Sequence, residues 1–132
     1  MAGIYTHIPF CFSRCGYCDF YKTTRLDRIG PFVSVLMKEI EHYSSDLNER
    51  IETVYFGGGT PSLISVKDYR DIFKQLRDNY DIADSAEITM EANPDDINED
   101  YLDAMLQIGF NRISIGIQSF HDRDLKEMGR RH

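Results

Sequence analysis

Apolar positions along the chain follow two periodicities, one typical of helices and one typical of strands. Apolar side chains that recur at spacings of three and four lie on one face of a helix. This spacing occurs at residues 27–47, 65–76 and 98–108, and a fourth, short helix is predicted near His121. Runs rich in β-forming residues lie before and between these segments, at residues 3–8, 53–56, 86–91 and 112–117.

The ends of two predicted helices carry recognisable signals. Ser65 with Asp68 three positions later forms an approximate capping box for the second helix. Gly109 is well placed to cap the carboxyl end of the third helix.

The order of elements is strand then helix, four times over. Such alternation predicts βαβ units and a parallel sheet. The fold class expected is therefore α/β, a partial (β/α) barrel with about four βα units. A sheet with an antiparallel edge and one face in water is the alternative that the pattern leaves open.

Unusual residues follow the predicted strands at one end of the sheet, where parallel α/β folds place their sites. Side chains alternate between the two faces of a strand. By this parity Tyr5, Glu91 and Gln118 point to the interior of the curled sheet. The aliphatic side chains of the last strand face the other way, to pack under helices: Ile113, Ile115 and Ile117.

Composition restricts the class of protein. Hydrophobic residues make up 42% of the 132 residues, enough for about one globular domain. The net charge of −7 argues against general nucleic-acid binding, which depends on basic surface. No secretory signal and no apolar run of membrane-spanning length is visible, so a cytoplasmic location is expected.

All three cysteines lie in one short segment, as Cys11, Cys15 and Cys18. An odd number at this spacing does not suit a disulfide framework. Structural zinc normally takes four protein ligands, and His7 is the available fourth. Three thiolates suit a [4Fe–4S] cluster better, with one iron left open for another ligand.

The cysteine spacing with an aromatic residue before the last cysteine resembles the defining motif of the radical S-adenosylmethionine (SAM) superfamily. Further segments narrow the resemblance to the oxygen-independent coproporphyrinogen III oxidase family and its heme-chaperone branch. They span nearly the whole chain: YTHIPFC, YFGGGTPSL, EITMEANPD, NRISIGIQSF and LKEMGRRH.

The resemblance implies a [4Fe–4S] cluster held by Cys11, Cys15 and Cys18, with SAM on the fourth iron. An electron from the cluster would cleave SAM to methionine and a 5′-deoxyadenosyl radical. No residue is assigned as catalytic in its own right. The residues implied to contact SAM are Tyr5, Tyr17, Gly58, Gly59, Thr60, Glu91, Gln118 and Arg130.

Several of these residues also have simpler interpretations. The glycines at 57–59 could form only a tight turn, and Glu91 could pair with a lysine. Arg130 and Arg131 could be a solvated basic pair. His7 is expected to be a structural hydrogen-bonding residue and not a ligand.

The residues after Cys18 favour one branch of the family. The oxidases carry a further cysteine there, in Cys-x-Cys form, whereas this chain has Asp19-Phe20. The resemblance therefore implies a heme chaperone, which binds heme and passes it to an acceptor protein. The alternatives are coproporphyrinogen III oxidation and a non-catalytic zinc or scaffold module. The electron donor and the heme acceptor are not identified by the sequence.

Members of this family are much longer than this chain. Residues 1–132 are therefore interpreted as the amino-terminal part of a radical SAM core domain, with an incomplete barrel and no activity expected of the fragment alone. Unpaired strand edges predict self-association. Without a cluster, the loop from Cys11 to about Thr24 is expected to lose order, because Phe10, Phe12, Tyr17 and Phe20 would lack a packing surface.

Overall fold

The computed structural model describes residues 2–132, which form one four-stranded sheet with helices in the connections. The strands are β1 (Ala2–Ile8), β2 (Ile51–Gly58), β3 (Ile82–Ala92) and β4 (Arg112–Ile115). The α-helices are α1 (Ile29–His42), α2 (Val66–Asn79), α3 (Glu99–Ile108) and α4 (Asp122–Glu127). The predicted alternation is confirmed.

Every pair of neighbouring strands is parallel, in the order β1-β2-β3-β4. The antiparallel-edge alternative is therefore wrong. The register places Ile8 beside Gly58 and Ala92 beside Ile115, so the carboxyl ends of adjacent strands meet at one edge. β1 and β4 are the outer strands, and the self-association expected from their edges stays a prediction.

The core lies between the sheet and the helices. Phe56 of β2 contacts Tyr69 and Phe73 of α2 and the ring of Phe110, with centroid separations of 5.4, 5.8 and 5.5 Å. Aromatic pairs at such distances add to the free energy gained from burying their area. This cluster fixes α2 against the middle of the sheet.

Both predicted helix-end signals are present. The Ser65 side chain accepts a hydrogen bond from the Asp68 amide at the start of α2. Gly109 ends α3 with φ of 125°, a backbone conformation that favours glycine. Local sequence chemistry therefore determines where these two helices stop and start.

Two predicted boundaries are wrong. The first helix ends at His42 and continues only as a 3-10 turn, Tyr43–Asp46, which leaves Tyr43 half-exposed. β4 ends at Ile115, so Ile117 and Gln118 lie beyond the strand, and Ile115 is 39% exposed instead of buried under a helix. Beyond the strand, Gln118 adopts a positive φ of 67°.

No helix among residues 2–132 is long and apolar enough to cross a membrane.

Candidate functional site

A cavity of about 280 Å³ opens at the carboxyl ends of the strands. It is lined by the thiols of Cys11, Cys15 and Cys18, which are free cysteines. Every other residue predicted for the SAM pocket lines it as well, except Tyr5: Tyr17, Gly58, Gly59, Thr60, Glu91, Gln118 and Arg130. The fold therefore brings together residues from all four strand ends.

The cysteine loop is attached to the sheet at its base. The Cys11 amide donates to the Thr23 carbonyl at 3.0 Å, and the Thr23 amide donates to the Pro9 carbonyl at 2.7 Å. Phe10 is only 2% exposed and packs edge-on against Phe32. The expectation that Phe10 depends on a cluster for its packing is therefore wrong.

Two further aromatic residues of the loop also have protein partners. Phe12 lies 4.2 Å below the guanidinium of Arg131, and the Tyr17 hydroxyl accepts from Arg130 at 3.4 Å. Phe20 is largely exposed. The expectation that these rings lack any other packing surface is therefore wrong for Phe12, whereas Tyr17 is held through the hydrogen bond of its hydroxyl.

The glycines after β2 make room for close contacts. A Cβ atom on Gly59 would lie 2.6 Å from the Phe10 carbonyl oxygen and 3.0 Å from the Cys11 sulfur. Gly58 has φ of 112°, and a Cβ there would collide with the His7 ring. Glycine is therefore required at both positions because neighbouring atoms come too close for a side chain, which a simple turn would not demand.

Glu91 is held in place by two donors. The Tyr55 hydroxyl donates to Oε1 at 2.7 Å, and the Gly58 amide donates to Oε2 at 3.1 Å. These partners replace the lysine considered from the sequence. The hydrogen bond to Glu91 is the main cause that raises the pKa of Tyr55 above its ordinary value. Each carboxylate oxygen keeps capacity for a further donor from a ligand.

A chain of hydrogen bonds connects the first cysteine to Arg130. The Thr60 hydroxyl donates to the Cys11 sulfur at 3.6 Å, and Asn93 Nδ2 donates to Thr60 Oγ1 at 3.3 Å. Arg130 Nη2 then donates to Asn93 Oδ1 at 2.8 Å. Burial raises the pKa of Cys11, while the hydrogen bond from Thr60 acts in the opposite direction. Asn93 was missed as a site residue, although its place directly after β3 could have indicated it.

Arg130 is anchored on one side and unsatisfied on the other. Besides Asn93, its Nη2 donates to the Gly116 carbonyl at 2.6 Å. Its Nε is buried without a hydrogen-bond partner in the part of the chain described. A buried donor of this kind costs free energy unless a ligand acceptor meets it. The solvated-pair interpretation of Arg130 is wrong.

Tyr5 and His7 lie on the open face of the sheet next to the cavity. Tyr5 is 59% exposed, stacks on Tyr55 at 6.0 Å, and its hydroxyl lies 3.1 Å from His7 Nδ1. His7 Nε2 lies 3.0 Å from the Tyr21 carbonyl oxygen. Both ring nitrogens of His7 are therefore engaged, as expected of a structural histidine.

The donor set suits an iron–sulfur cluster. Thiolates are the soft ligands such clusters take, and three of them leave one position open. Across residues 2–132 no three His, Cys, Asp or Glu side chains converge on a single metal-ion position. The remaining lining offers a guanidinium, a carboxylate and glycine backbone to a polar organic ligand.

Comparison with known proteins agrees with this chemistry. Residues 5–132 match the radical SAM superfamily. The heme chaperone HemW of Mycobacterium tuberculosis is 36% identical over 135 residues, which cover 98% of this chain and 35% of that protein. The anaerobilin synthase of Escherichia coli O157:H7 is 39% identical, covering 96% of this chain and 29% of that protein.

A solved structure has the same fold. Coproporphyrinogen III oxidase (HemN) from Escherichia coli, described as a radical SAM enzyme, superposes with a TM-score of 0.91 and 31% identity. The match covers 98% of this chain and 31% of that one. The chain thus spans about a third of the length of the proteins it resembles.

The superfamily uses SAM and a [4Fe–4S] cluster in general, and the match extends from Tyr5 to His132 through all four strands. The partial (β/α) architecture, the cavity with three thiols and the matched residues lead to one conclusion: this chain belongs to the radical SAM superfamily.

Proposed function

We propose that the chain holds a [4Fe–4S] cluster through Cys11, Cys15 and Cys18 and presents its open iron to SAM. The observation that carries the proposal is the placement of three free thiols in one cavity with the unpartnered Nε of Arg130. When bound, such a cluster supplies the electron for reductive cleavage of SAM.

The cavity residues divide between the two ends of SAM. The Arg130 guanidinium offers its free Nε to a carboxylate, a charge-assisted bond stronger than a neutral one. Glu91 offers its remaining lone pairs to an ammonium or to ribose hydroxyls. Gly58 and Gly59 allow a ligand to approach the backbone closely.

Four further residues complete the proposed SAM site. Thr60, Tyr17 and Gln118 line the cavity, and each carries a polar group suited to a hydrogen bond with SAM. Tyr5 lies outside the cavity lining and would reach SAM only where the ligand extends over the open face of the sheet.

For the whole protein we propose heme binding and transfer to an acceptor protein. The support is the similarity to HemW relatives together with Asp19-Phe20 after the last cysteine. The second candidate is oxidation of coproporphyrinogen III, which the likeness to HemN favours. Reductive cleavage of SAM at the proposed cluster requires an electron donor.

Anaerobic reconstitution followed by iron and sulfide analysis tests the cluster. We expect about four irons and four sulfides per chain, the content of one [4Fe–4S] cluster. Cys11→Ser, Cys15→Ser and Cys18→Ser should each lower the iron content strongly, while Ser13→Ala in the same loop should not. One zinc per chain, or iron content unchanged in all three cysteine variants, would contradict the proposal.

A porphyrin assay on the longer protein separates the two candidate functions. Stable heme binding followed by transfer to an apo-hemoprotein, with no loss of carboxyl groups from coproporphyrinogen III, supports the chaperone. Anaerobic decarboxylation that requires SAM would support the oxidase instead.

A further inference from the structure

Arg131 connects two loops at the mouth of the cavity. Its guanidinium lies 4.2 Å from the centre of the Phe12 ring, on the cysteine loop. On its other side it approaches Asp95 at 4.0 Å and Asp96 at 3.8 Å, in the loop after β3. One side chain therefore contacts both loops at once.

The Asp96 side chain, which faces Arg131, is held in place by the fold. It is only 9% exposed. Its Oδ2 accepts hydrogen bonds from Ser62 Oγ at 3.1 Å and from Asn93 Nδ2 at 3.3 Å. Because Ser62 follows the glycines after β2, the carboxylate that faces Arg131 is bound to two strand ends.

Phe12 is less buried than Asp96. It follows Cys11 directly and is 49% exposed, although it lines the cavity. The backbone bonds that fix the loop lie at its base, between Cys11 and Thr23. The stack on Arg131 therefore connects the interior of the loop to the rest of the fold. Arginine suits this position better than lysine, because a planar guanidinium can stack on an aromatic ring.

We propose that Arg131 is a positioning residue that holds the cysteine loop closed over the cavity by linking Phe12 to Asp96. Its effect on a bound cluster rests on the proposed function, but its effect on the loop does not. Arg131 lines the same cavity, and its contacts are with Phe12, Asp95 and Asp96, so we assign it to act through Phe12.

Hydrogen exchange of the cluster-free chain tests the link directly. Arg131→Met and Phe12→Leu should each speed exchange at residues 11–22 by about two- to fivefold, the size expected of one partly exposed cation–π contact. Phe12→Tyr, which keeps the ring, should match the wild type, and Arg131→Lys should fall between. Arg123→Met removes an exposed arginine of α4 and serves as the matched control.

The double variant distinguishes a link from two separate effects. If Arg131 and Phe12 act through one contact, Arg131→Met with Phe12→Leu should speed exchange no more than either change alone. Multiplied effects, unchanged exchange in both single variants, or equal exchange in Phe12→Leu and Phe12→Tyr would overturn the proposal. If Arg131→Met does not fold, Arg131→Lys alone and together with Phe12→Leu gives the same test, and the double variant should again exchange no faster than Phe12→Leu.

Iron release to a chelator then measures the consequence for the cluster. In reconstituted protein the release rate should rise in Arg131→Met and Phe12→Leu and stay unchanged in Phe12→Tyr and Arg123→Met. A wild-type chain that takes up no iron would overturn the proposed function, while the exchange data would still decide the role of Arg131. Iron uptake with equal loop protection in all variants would overturn the role of Arg131 alone.

Discussion

Gly59 lies where the ends of β1 and β2 meet, and it leaves no space for a side chain. Its amide donates to the Ile8 carbonyl at 2.7 Å, and an added Cβ would lie 2.9 Å from the same oxygen. We expect Gly59→Ala to destabilise the fold by about 1–3 kcal/mol, the usual cost of forcing extra atoms into a packed site. Urea unfolding of the cluster-free protein measures this.

Gly30 supplies the control for that substitution. It lies in α1, and an added Cβ there meets nothing within 4 Å. Gly30→Ala should change the free energy of unfolding by less than about 0.5 kcal/mol, because the gain from replacing a helical glycine is offset by the conflict of the new Cβ with the ring of Pro31. If both alanine variants changed the free energy of unfolding equally, steric contact at Gly59 would not be the cause.

Sequence patterns identified some residues of the site and missed others. The cysteines and glycines carry their chemistry in residue type and spacing, and the structure places them at one cavity. Asp96 could not be assigned in this way, since its role arises only when loops from different strands meet. Asn93 gave a weaker signal, its place directly after β3. An exposed arginine such as Arg131 gives no sequence signal for the ring it contacts.

At the scale of elements, Asn111 extends the pairing of β3 with β4 ahead of Arg112, the first residue of β4. Its Oδ1 accepts from the Ile88 amide at 2.8 Å, and its Nδ2 donates to the Ala86 carbonyl at 2.8 Å. Asn111→Ala leaves two backbone groups without these partners and should cost about 1–3 kcal/mol in the free energy of unfolding.

A second asparagine allows a matched comparison. Asn79 Nδ2 donates to the Gln75 carbonyl at 2.8 Å at the end of α2, a contact within one helix. Asn79→Ala should change stability by less than about 0.5 kcal/mol, as is usual at the surface. Chemical denaturation of the two variants side by side tests this, and an equal loss in both would show that Asn111 is not a link between strands.

The helices with clear end signals were predictable, and the elements without them were less so. Ser65 and Gly109 determine boundaries through local hydrogen bonds and backbone conformation. β4 ends at Ile115 although the alternation of residue types continues to Ile117, so the sequence pattern does not mark this boundary. Likewise, the continuation of the first helix as a 3-10 turn does not interrupt the apolar spacing at Tyr43.

At the scale of the whole molecule, buried tyrosines predict a loss of stability in alkali. Burial raises the pKa of Tyr69 well above its ordinary value and also raises the pKa of Tyr101, with a further contribution from Asp96. The folded protein then holds these protons more tightly than the unfolded chain. Their contribution is complete below about pH 10, the ordinary tyrosine value, and falls as the pH rises above it.

Urea unfolding at a series of pH values from neutral to alkaline checks this. The free energy of unfolding should decline above about pH 10, and Tyr101→Phe should make the decline shallower. The difference in unfolding free energy between that variant and the wild type at neutral pH measures the loss of the hydroxyl contact with Met90. This difference is subtracted before the declines are compared. Identical declines in both proteins would contradict a role for Tyr101.

The sheet has its strands in the same order as the chain, so each new strand pairs with the one made just before it. A growing polypeptide can therefore add one βα unit at a time as it leaves the ribosome. Cys18 and Arg130 are roughly 110 positions apart, which corresponds to about 6–22 seconds of synthesis at about 5–20 residues per second. During that interval the thiols exist without the arginine pair that contacts their loop. If the proposed cluster were inserted then, iron and sulfide would meet an incomplete cavity, so we expect insertion to follow the synthesis of Arg131.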